Sequence, residues 1–433
     1  MKRKLFLILF FIVIFSPRPA LSSINVAAHN FAKMKLALVV IGNDSILSEC
    51  AEILKKDFSF SEQFDVSIES SLSLPSKKMF DTWRKQGMLL VVFLNESKNK
   101  DGFEWRIYDT NKMTMLKGKK YKKRGELLRG WAHNIADMIW PELMGQESCF
   151  STKIAYSKEI KSEGKRNRLH IYIADYDGRN EEPLVSTPTI NVAPRWNADL
   201  NNPLVFYSES SKANISLRVV DMKGRRKTAS NFDGLNMLPS FSKGGKKVVY
   251  CMSHGGGHCN LYSYEKGQLQ QLTCNLGNNI SPTASGDGEV VYFCSDYKNG
   301  VPLIYRYNCV HGAIEQLTDR GPCFSPSYCE KTQKLAYVKR VGGVMQICIF
   351  NVKTEEHQQF TFDKNFHKEE CVWSPCGNYL LFCITNQNSS RLVMEHVNTR
   401  KRRFLTSSAQ QCSYPSWSPI YNEFPAIWAK KST

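Results

Sequence analysis

Several signatures of catalysis and metal binding are absent from this sequence of 433 residues. It has no Gly-x-Ser-x-Gly motif, which excludes the nucleophile elbow of α/β-hydrolases. No two of its 14 cysteines are spaced as Cys-x-x-Cys, which argues against a zinc ribbon and a thioredoxin-type redox site. After the first 22 residues, no apolar run is long enough to cross a bilayer. These absences favour a binding protein over a metal-dependent or hydrolytic enzyme.

The first 22 residues have the organisation of a secretory signal. Lys2, Arg3 and Lys4 precede an apolar run from Leu5 to Phe15, and small residues follow as far as Ser22. This pattern predicts a signal peptide at residues 1–22 and a mature protein that starts near Ser23 outside the cytoplasm, without a membrane span. An uncleaved membrane anchor is the alternative interpretation.

Acidic residues are outnumbered by basic ones. Without residues 1–22, 54 Lys and Arg face 40 Asp and Glu. Such a surplus favours contact with acidic proteins or anionic envelope surfaces. Nucleic acid is not expected as a partner, because the chain is predicted to be exported. Export also permits disulfides. Most of the cysteines occupy apolar strand positions and are expected to be buried; a few bridges are possible, and their connectivity is left open.

Residues 36–144 predict a small α/β domain. Leu36 to Ile41 is an apolar run suited to a buried strand, and Asp44 or Ser45 caps a helix after it. Met88 to Leu94 predicts the most hydrophobic strand, and the apolar spacing from about Gly125 to Leu143 predicts a further helix. Residues 23–35, which have no clear periodicity, are interpreted as a flexible arm. Residues 145–152 are interpreted as a linker.

The rest of the chain repeats a unit of about 44 residues. A Pro-x-aromatic-Ser signal recurs with its third position at residues 196, 241, 284, 328, 373 and 417. Each copy but the last leads into apolar segments that predict three further strands. Four strands per repeat of this length are typical of a β-propeller blade. We therefore predict an all-β propeller of WD40-like repeats at residues 153–421, followed by a tail at 422–433.

The two ends of the repeat region predict how the ring closes. At Lys153-Ile154-Ala155-Tyr156 a second-strand pattern begins without an inner strand before it. The missing inner strand stands at Pro415 to Pro419. One blade is therefore expected to be completed from both ends of the chain, which removes a free sheet edge and gives six blades.

Several local sequences resemble one family. They are Leu128-Arg129-Gly130-Trp131-Ala132-His133, Thr152-Lys153-Ile154-Ala155-Tyr156, Ala174-Asp175-Tyr176-Asp177-Gly178, and Trp-Ser-Pro at 373–375 and 417–419. With the signal, arm and α/β domain, they make the chain similar to the TolB family of the periplasmic Tol–Pal system. The Asp-Gly turn that follows Trp-Ser-Pro in this family survives as Asp287-Gly288, whereas another copy reads Cys376-Gly377.

The resemblance implies a non-catalytic periplasmic scaffold without a cofactor. Its partners would be the peptidoglycan-associated lipoprotein Pal and inner-membrane Tol proteins such as TolA, and it would support outer-membrane integrity, protein transport and cell division. Ile24, Asn25 and Val26 alternate as the family's arm does, so the resemblance implies that this segment docks on the body or reaches a partner. The chain itself is expected to be a monomer.

Residues that enter the innermost strands are the candidate partner site, because in a propeller they surround the mouth of the central channel. They combine short amides with apolar groups, a mixture that suits protein contact. The resemblance assigns this face to Pal. The candidate residues are Asn191, Asn236, Met237, Leu238, Asn279, Ile280, Ser281, Phe324, Glu370 and Ser413.

The alternative is an exported propeller enzyme or a glycan-binding lectin with its site in the central funnel. Glu369 and Glu370 are adjacent, so in a strand they point to opposite faces and do not suggest a catalytic pair. His133 lies among apolar residues and is expected to be a packing or capping residue. His254 and His258 flank three glycines where a hairpin loop is due, which favours a turn over a metal site.

Overall fold

The computed structural model describes residues 33–97, 102–122, 128–161, 168–211, 214–253, 257–274 and 277–421. The predicted signal peptide, the arm residues Ile24, Asn25 and Val26, the histidine at position 254 and the tail at 422–433 lie outside the described residues.

The N-terminal region is a small α/β domain, as predicted. Its sheet has the strand order β2-β1-β3-β4-β5; β1 pairs in parallel with β2 and β3, and β4 and β5 are added antiparallel at one edge. The Asp44 carboxylate accepts hydrogen bonds from the first turn of α1, as an N-cap does. The elements are β1 (Met34–Ile41), α1 (Ser45–Phe60), β2 (Phe64–Ser71), α2 (Lys77–Lys85), β3 (Met88–Glu96), β4 (Gly102–Asp109), β5 (Thr114–Lys122) and α3 (Leu128–Met144).

Strand β1 begins before the apolar run that predicted it. Met34 and Lys35, which the sequence placed in the arm, pair with Phe64 and Asp65 of β2. The prediction was wrong here because ladder pairing is made by the backbone, so a strand can continue beyond its hydrophobic side chains.

The propeller consists of six four-stranded antiparallel sheets, which confirms the fold predicted from the repeats. The first sheet is β29 (Cys412–Trp417), β6 (Lys153–Ile160), β7 (Arg168–Asp175) and β8 (Glu182–Val185). The second is β9 (Ile190–Trp196), β10 (Leu204–Ser210), β11 (Ile215–Asp221) and β12 (Arg226–Ser230). The third is β13 (Asn236–Phe241), β14 (Lys247–Met252), β15 (Asn260–Glu265) and β16 (Gln268–Gln271).

The remaining blades follow the same order from the channel outwards. The fourth is β17 (Asn279–Ala284), β18 (Val290–Ser295), β19 (Leu303–Asn308) and β20 (Ile314–Gln316). The fifth is β21 (Cys323–Cys329), β22 (Lys334–Val341), β23 (Val344–Asn351) and β24 (Glu356–Gln359). The sixth is β25 (His367–Trp373), β26 (Tyr379–Thr385), β27 (Ser390–His396) and β28 (Arg402–Phe404).

The ring closes as predicted, by pairing of β29 with β6. Ser416 and Trp417 are opposite Ala155 and Ile154, and the Ser418 amide donates to the Lys153 carbonyl at 2.8 Å. The buried Trp417 indole donates to Thr152 Oγ1 at 2.7 Å. Residues more than 250 positions apart in the sequence therefore form one blade.

The α/β domain packs on the propeller face where the innermost strands end. Phe60, at the end of α1, stacks on Tyr379 at the start of β26 with ring centroids 5.6 Å apart. The Arg403 guanidinium lies 4.0 Å from the centre of the Phe60 ring. A single hydrophobic core includes α1, α3, β6, β26 and Trp417. The two parts therefore share a core, and the strand entrances lie on the opposite face of the ring.

We expect removal of β29 to destabilise the entire ring. A chain that ends at Gln411 exposes the edge of β6 and loses the buried Trp417, and deletion of one buried Trp side chain alone costs about 3–5 kcal/mol. The expected result is a lower melting temperature for all propeller blades together, measured by calorimetry and circular dichroism. A chain that ends at Tyr421 retains β29 and is the matched reference. Equal melting of the two truncations would contradict the closure.

Candidate binding site at the propeller channel

Each innermost strand contains one residue in the left-handed backbone region. All six have φ between 48° and 56°, although none is glycine. At each of them the pairing with the second strand is interrupted by a β-bulge. Such backbone strain persists only where the surroundings hold it, and it is frequent at binding sites. The residues, called here the bulge ring, are Ala193, Leu238, Ser281, Ser325, Glu370 and Tyr414.

In four blades, a buried side chain two residues before the bulge fastens the loop that enters the strand. Asn236 is fully buried; its amide nitrogen donates to the carbonyls of Ile215 and Phe232 at 3.0 and 2.7 Å. Asn191 donates in the same way to the Leu169 carbonyl of the preceding blade and to the Thr189 carbonyl of its entry loop, and Asn279 donates to the Gly277 carbonyl of its own entry loop. The sequence placed these three amides among the contact residues. Because they are buried and hydrogen-bonded internally, they shape the mouth from beneath it and do not face a partner.

Lys368 occupies the equivalent place in the sixth blade. Its buried ammonium donates to the Phe366 carbonyl at 2.6 Å and to the Asp363 carbonyl. Burial lowers the pKa of this lysine. In this blade the lysine ammonium takes the place of the asparagine amide. It holds the entry loop by the same type of contact, a hydrogen bond to a backbone carbonyl.

The remaining predicted residues are closer to solvent. Met237, Ile280, Phe324 and Ser413 each precede a bulge and are half-buried. From the bulge ring, Leu238, Ser281 and Glu370 line a central cavity of about 680 Å³ to which all six blades contribute. Ser413 borders a second, smaller cavity between the first and sixth blades, together with Ile190 and Gln411. The structure therefore brings the candidate residues together around the channel. The three amides are buried, the residues that follow them are half-buried, and the cavity extends from the bulge ring towards the ends of the innermost strands.

Two groups of opposite charge, Arg195 and Glu370, lie in the lining of the channel. Arg195, which the sequence analysis did not single out, lines the cavity; its guanidinium donates to the Pro194 carbonyl at 2.8 Å. It forms no ion pair within the described ranges of the chain. Glu370 accepts from the Tyr414 amide of the next blade. Burial raises the pKa of Glu370 to about 7, against the smaller lowering effects of this hydrogen bond and of Arg195.

A set of hydroxyl groups joins neighbouring blades around the channel. In four blades, the residue two positions after the bulge has a hydroxyl group. This hydroxyl accepts a hydrogen bond from the backbone amide that lies three positions after the bulge of the next blade. The bonds run from Trp196 N to Ser416, from Ala284 N to Ser240, from Tyr328 N to Thr283 and from Trp373 N to Ser327, at 2.9 to 3.2 Å. Alignment of the six repeats could have revealed this position, at which Arg195 and Val372 are the exceptions.

A buried charged cluster connects the α/β domain to the propeller, far from the channel mouth. His133 of α3 lies 2.8 Å from the Asp57 carboxylate of α1, and the Tyr176 hydroxyl donates to the same carboxylate at 2.7 Å. Burial opposes protonation of His133, but the Asp57 carboxylate outweighs it and raises the histidine pKa. His133 is therefore a packed, hydrogen-bonded residue, as the sequence indicated.

The same cluster contains three groups with the spacing of metal ligands. Possible ligand atoms of His133, Asp175 and Asp177 lie within 4.8 Å of one another. The Arg129 guanidinium, however, contacts all three, at 3.2 Å from His133 Nε2, 3.5 Å from Asp175 and 2.6 Å from Asp177. The positive charge that balances these carboxylates is thus supplied by an arginine side chain.

Fold and site together define a class: closed six-bladed propellers with an α/β domain on one face and the six strand entrances on the other. Residues 140–421 match the model of the TolB beta propeller domain. The chain belongs to this family, which confirms the resemblance seen in its sequence.

Relatives and solved structures agree with this assignment. The Tol-Pal system protein TolB of Ruthia magnifica subsp. Calyptogena magnifica is 24% identical over 392 residues, which cover 88% of this chain and 91% of the relative. The protein of the same name from Francisella tularensis subsp. mediasiatica is 26% identical over 370 residues, 81% and 82% of the two chains. The crystal structure of TolB from Acinetobacter baumannii superposes with a TM-score of 0.76 at 25% identity, covering 90% of this chain and 98% of that one. Among the described residues, no helix has the length and apolar character needed to cross a membrane.

Glu370 should make the stability of the propeller depend on pH. Its pKa is raised, so the folded protein binds this proton more tightly than the unfolded chain, and stability falls as the pH rises from about 4.5 to 7. The loss is at most about 3 kcal/mol. We expect Glu370→Gln to gain stability relative to the wild type between pH 5 and pH 8 in chemical denaturation. Glu369→Gln, on the adjacent residue, is the control. If the difference in the free energy of unfolding between the wild type and Glu370→Gln did not change with pH, this role of Glu370 would be contradicted.

Proposed function

We propose that this protein is a non-catalytic periplasmic scaffold of the Tol–Pal system. It holds the lipoprotein Pal at the mouth of the propeller channel and reaches inner-membrane Tol proteins such as TolA through the arm that contains Ile24, Asn25 and Val26. In this way it supports outer-membrane integrity and cell division. The observation that carries the proposal is the ring of six strand entrances, each preorganised by a bulge, on the face away from the α/β domain.

The mouth has the features of a surface that binds protein. Its backbone is fixed by the bulge ring and by the buried amides beneath it, so little conformational entropy is lost when a partner docks. Met237, Ile280 and Phe324 offer half-buried apolar area around it. Anchor side chains of a partner could be desolvated there, which is where binding energy concentrates in interfaces. Arg195, without a carboxylate partner in the described chain, suits a carboxylate or backbone carbonyl of the incoming segment.

The arrangement of charge in the channel favours binding over hydrolysis. Glu370 lines the cavity, but the adjacent Glu369 does not, so the two carboxylates do not face a common substrate position. A pair of carboxylates about 5–10 Å apart around one bond is what glycoside hydrolysis requires. The described lining contains three glutamates on separate segments: Glu147 pairs with Lys331, Glu330 accepts from the Gly286 amide, and Glu370 lies among Arg195 and many apolar or hydroxyl groups. We therefore propose no catalytic residue.

Introducing a charge at the mouth should weaken binding of the Pal domain. Leu238 is 9% exposed and packs in the core, so its replacement would also perturb folding. We therefore choose the half-buried Ile280→Asp and Met237→Asp. Each would bury an unpaired carboxylate on docking, and we expect a loss of at least about 2 kcal/mol, or about 30-fold in Kd. Isothermal calorimetry with the purified cognate Pal domain measures it.

The matched control for the mouth variants is Leu269→Asp. Leu269 lies on β16, the outermost strand of the same blade as Met237, and is 41% exposed. The Leu269→Asp variant should bind Pal as the wild type does. The melting temperatures of all three variants should lie within a few degrees of that of the wild type. Undiminished binding by Ile280→Asp and Met237→Asp would place the Pal interface elsewhere, either on the α/β domain or on the opposite rim.

Deletion of the arm should affect the inner-membrane partner and leave Pal binding at the propeller. The deletion should span residues 24–32, because Met34 and Lys35 belong to β1 and their loss would disturb the sheet. A free segment that orders only on binding can exchange between two docking places. We expect recruitment of TolA in a pull-down to fall at least about tenfold with an unchanged melting temperature. Replacement of the nine residues by a Gly/Ser segment of equal length controls for spacing, and full TolA recruitment by the deletion would contradict the role.

A further inference from the structure

Two buried cysteines from distant parts of the chain have their sulfur atoms in contact. Cys149 Sγ and Cys376 Sγ lie 3.0 Å apart, although the residues are 227 positions apart in the sequence. They are 0% and 3% exposed. A disulfide bond of about 2.05 Å would require the two atoms to approach by only about 1 Å. No other feature of the proposed function uses this pair.

The position of Cys149 is fixed by the segment that joins α3 to β6. The amides of Phe150 and Ser151 donate to the buried Asp137 carboxylate at 2.8 and 2.7 Å. The Thr152 hydroxyl donates to the Cys149 carbonyl at 2.5 Å and accepts from Trp417 of the closing strand. Cys149 is therefore held against the propeller by hydrogen bonds on its C-terminal side, which leaves its sulfur little freedom to move away.

Cys376 lies in the turn between β25 and β26, at a place where the fourth blade has an aspartate. There Ser285 donates to Asp287 within its own turn, and Gly288 follows with φ +77°. In the sixth blade the sulfur of Cys376 lies 3.3 Å from the Ser374 hydroxyl, and Gly377 follows with φ +78°. The same turn is thus made with a thiol in place of a carboxylate, and this thiol reaches Cys149.

We propose that Cys149 and Cys376 are an oxidation site that forms a disulfide between the domain linker and the sixth blade in the exported protein. This inference rests on the export that the proposed function includes, since an oxidising compartment is required. The oxidant is a disulfide, either a small molecule or a dithiol oxidase. One cysteine thiolate attacks it and releases one thiol; the second cysteine then displaces the other thiol. Two S–H bonds are lost, one S–S bond forms, and the oxidant takes up two electrons and two protons.

The bridge would join covalently what is otherwise held by non-covalent contacts. Cys149 lies just before the first propeller strand, and Cys376 lies in the sixth blade, whose Tyr379 and Arg403 contact Phe60 of the α/β domain. A cross-link over so long a loop restricts the unfolded chain strongly and should stabilise the whole protein. It would also fix the α/β domain against the propeller. Both thiols are buried, so an oxidant has little access to them in the folded protein and the bridge should form during folding.

A third thiol provides a specific alternative pairing. A Cβ atom placed on Gly377 would lie 3.3 Å from Cys329 Sγ, so Cys329 adjoins the same turn from the neighbouring blade. Cys329 belongs to β21, whereas Cys149 belongs to the linker, so only the Cys149 bridge joins the linker to the sixth blade. Peptide mapping can distinguish the two pairings.

The test uses the full chain with its own leader, exported from cells and purified without reductant. Free thiols are blocked with an alkylating reagent under denaturing conditions, and the protein is digested and mapped by mass spectrometry. We expect a linked peptide pair that contains Cys149 and Cys376. Cys149→Ala and Cys376→Ala should each abolish this pair and lower the melting temperature by about 5 °C without reductant. When dithiothreitol is present during refolding, the melting temperature of the wild type should fall to that of the two variants.

The matched control is Cys50→Ala, which removes another buried thiol, on α1. Its melting temperature should differ from that of the wild type by the same amount with and without reductant. A separate refolding of the purified chain with oxidised glutathione tests the pairing without cellular export. If Cys149 and Cys376 remain open to alkylation after that refolding, or if Cys376 is linked to Cys329, the proposed pairing is wrong. A third outcome separates the pairing from the location. If the protein recovered from cells is reduced and still carries its leader, but forms the Cys149–Cys376 bridge in this refolding, the pairing is supported and the proposed location is contradicted.

Discussion

The pairing of β29 with β6 is the constraint on which the rest of the structure depends. It makes a ring from an array of blades, so each blade packs against two neighbours and the first sheet has no free inner edge. It also places Trp417 against Thr152, where the linker from the α/β domain enters the propeller. The closure thereby decides where the α/β domain sits, and its core continues into that of the propeller.

Closure also produces the channel and its strained mouth. Six innermost strands are brought to the same radius, and the hydroxyls of Ser240, Thr283, Ser327 and Ser416 set the spacing between four pairs of blades. The bulge in each strand changes the direction of the backbone and of the side chain, and the six bulges lie at the same level of the ring. Because six copies are held by neighbours, the unfavourable left-handed conformation is sustained where a partner would dock. The site is therefore a property of the ring and not of any one blade.

The interface between the domains uses a different kind of interaction from that at the mouth. Asp57, His133, Arg129 and Asp177 are a buried network in which each charge has a partner, and removal of one member would leave the others uncompensated. Such a network fixes one orientation of the α/β domain more than it adds stability. The proposed Cys149–Cys376 bridge lies beside the same junction. Orientation at this junction determines where the start of β1 lies relative to the propeller.

The sequence by itself determined the number of blades, the closure and the presence of an α/β domain, because a repeat of about 44 residues and local hydrophobic periodicity report strands and their order. It also located the strand entrances. Tertiary structure alone decided which entrance residues are accessible: Asn236 is buried because its amide holds the entry loop, Met237 is half-buried, and the bulge leaves the consecutive Leu238 and Pro239 both buried. The contacts of Asp57 with His133 and of Cys149 with Cys376 likewise join distant segments. Local periodicity carries no information on such pairs, because they meet only when the ring has closed and the domain has docked.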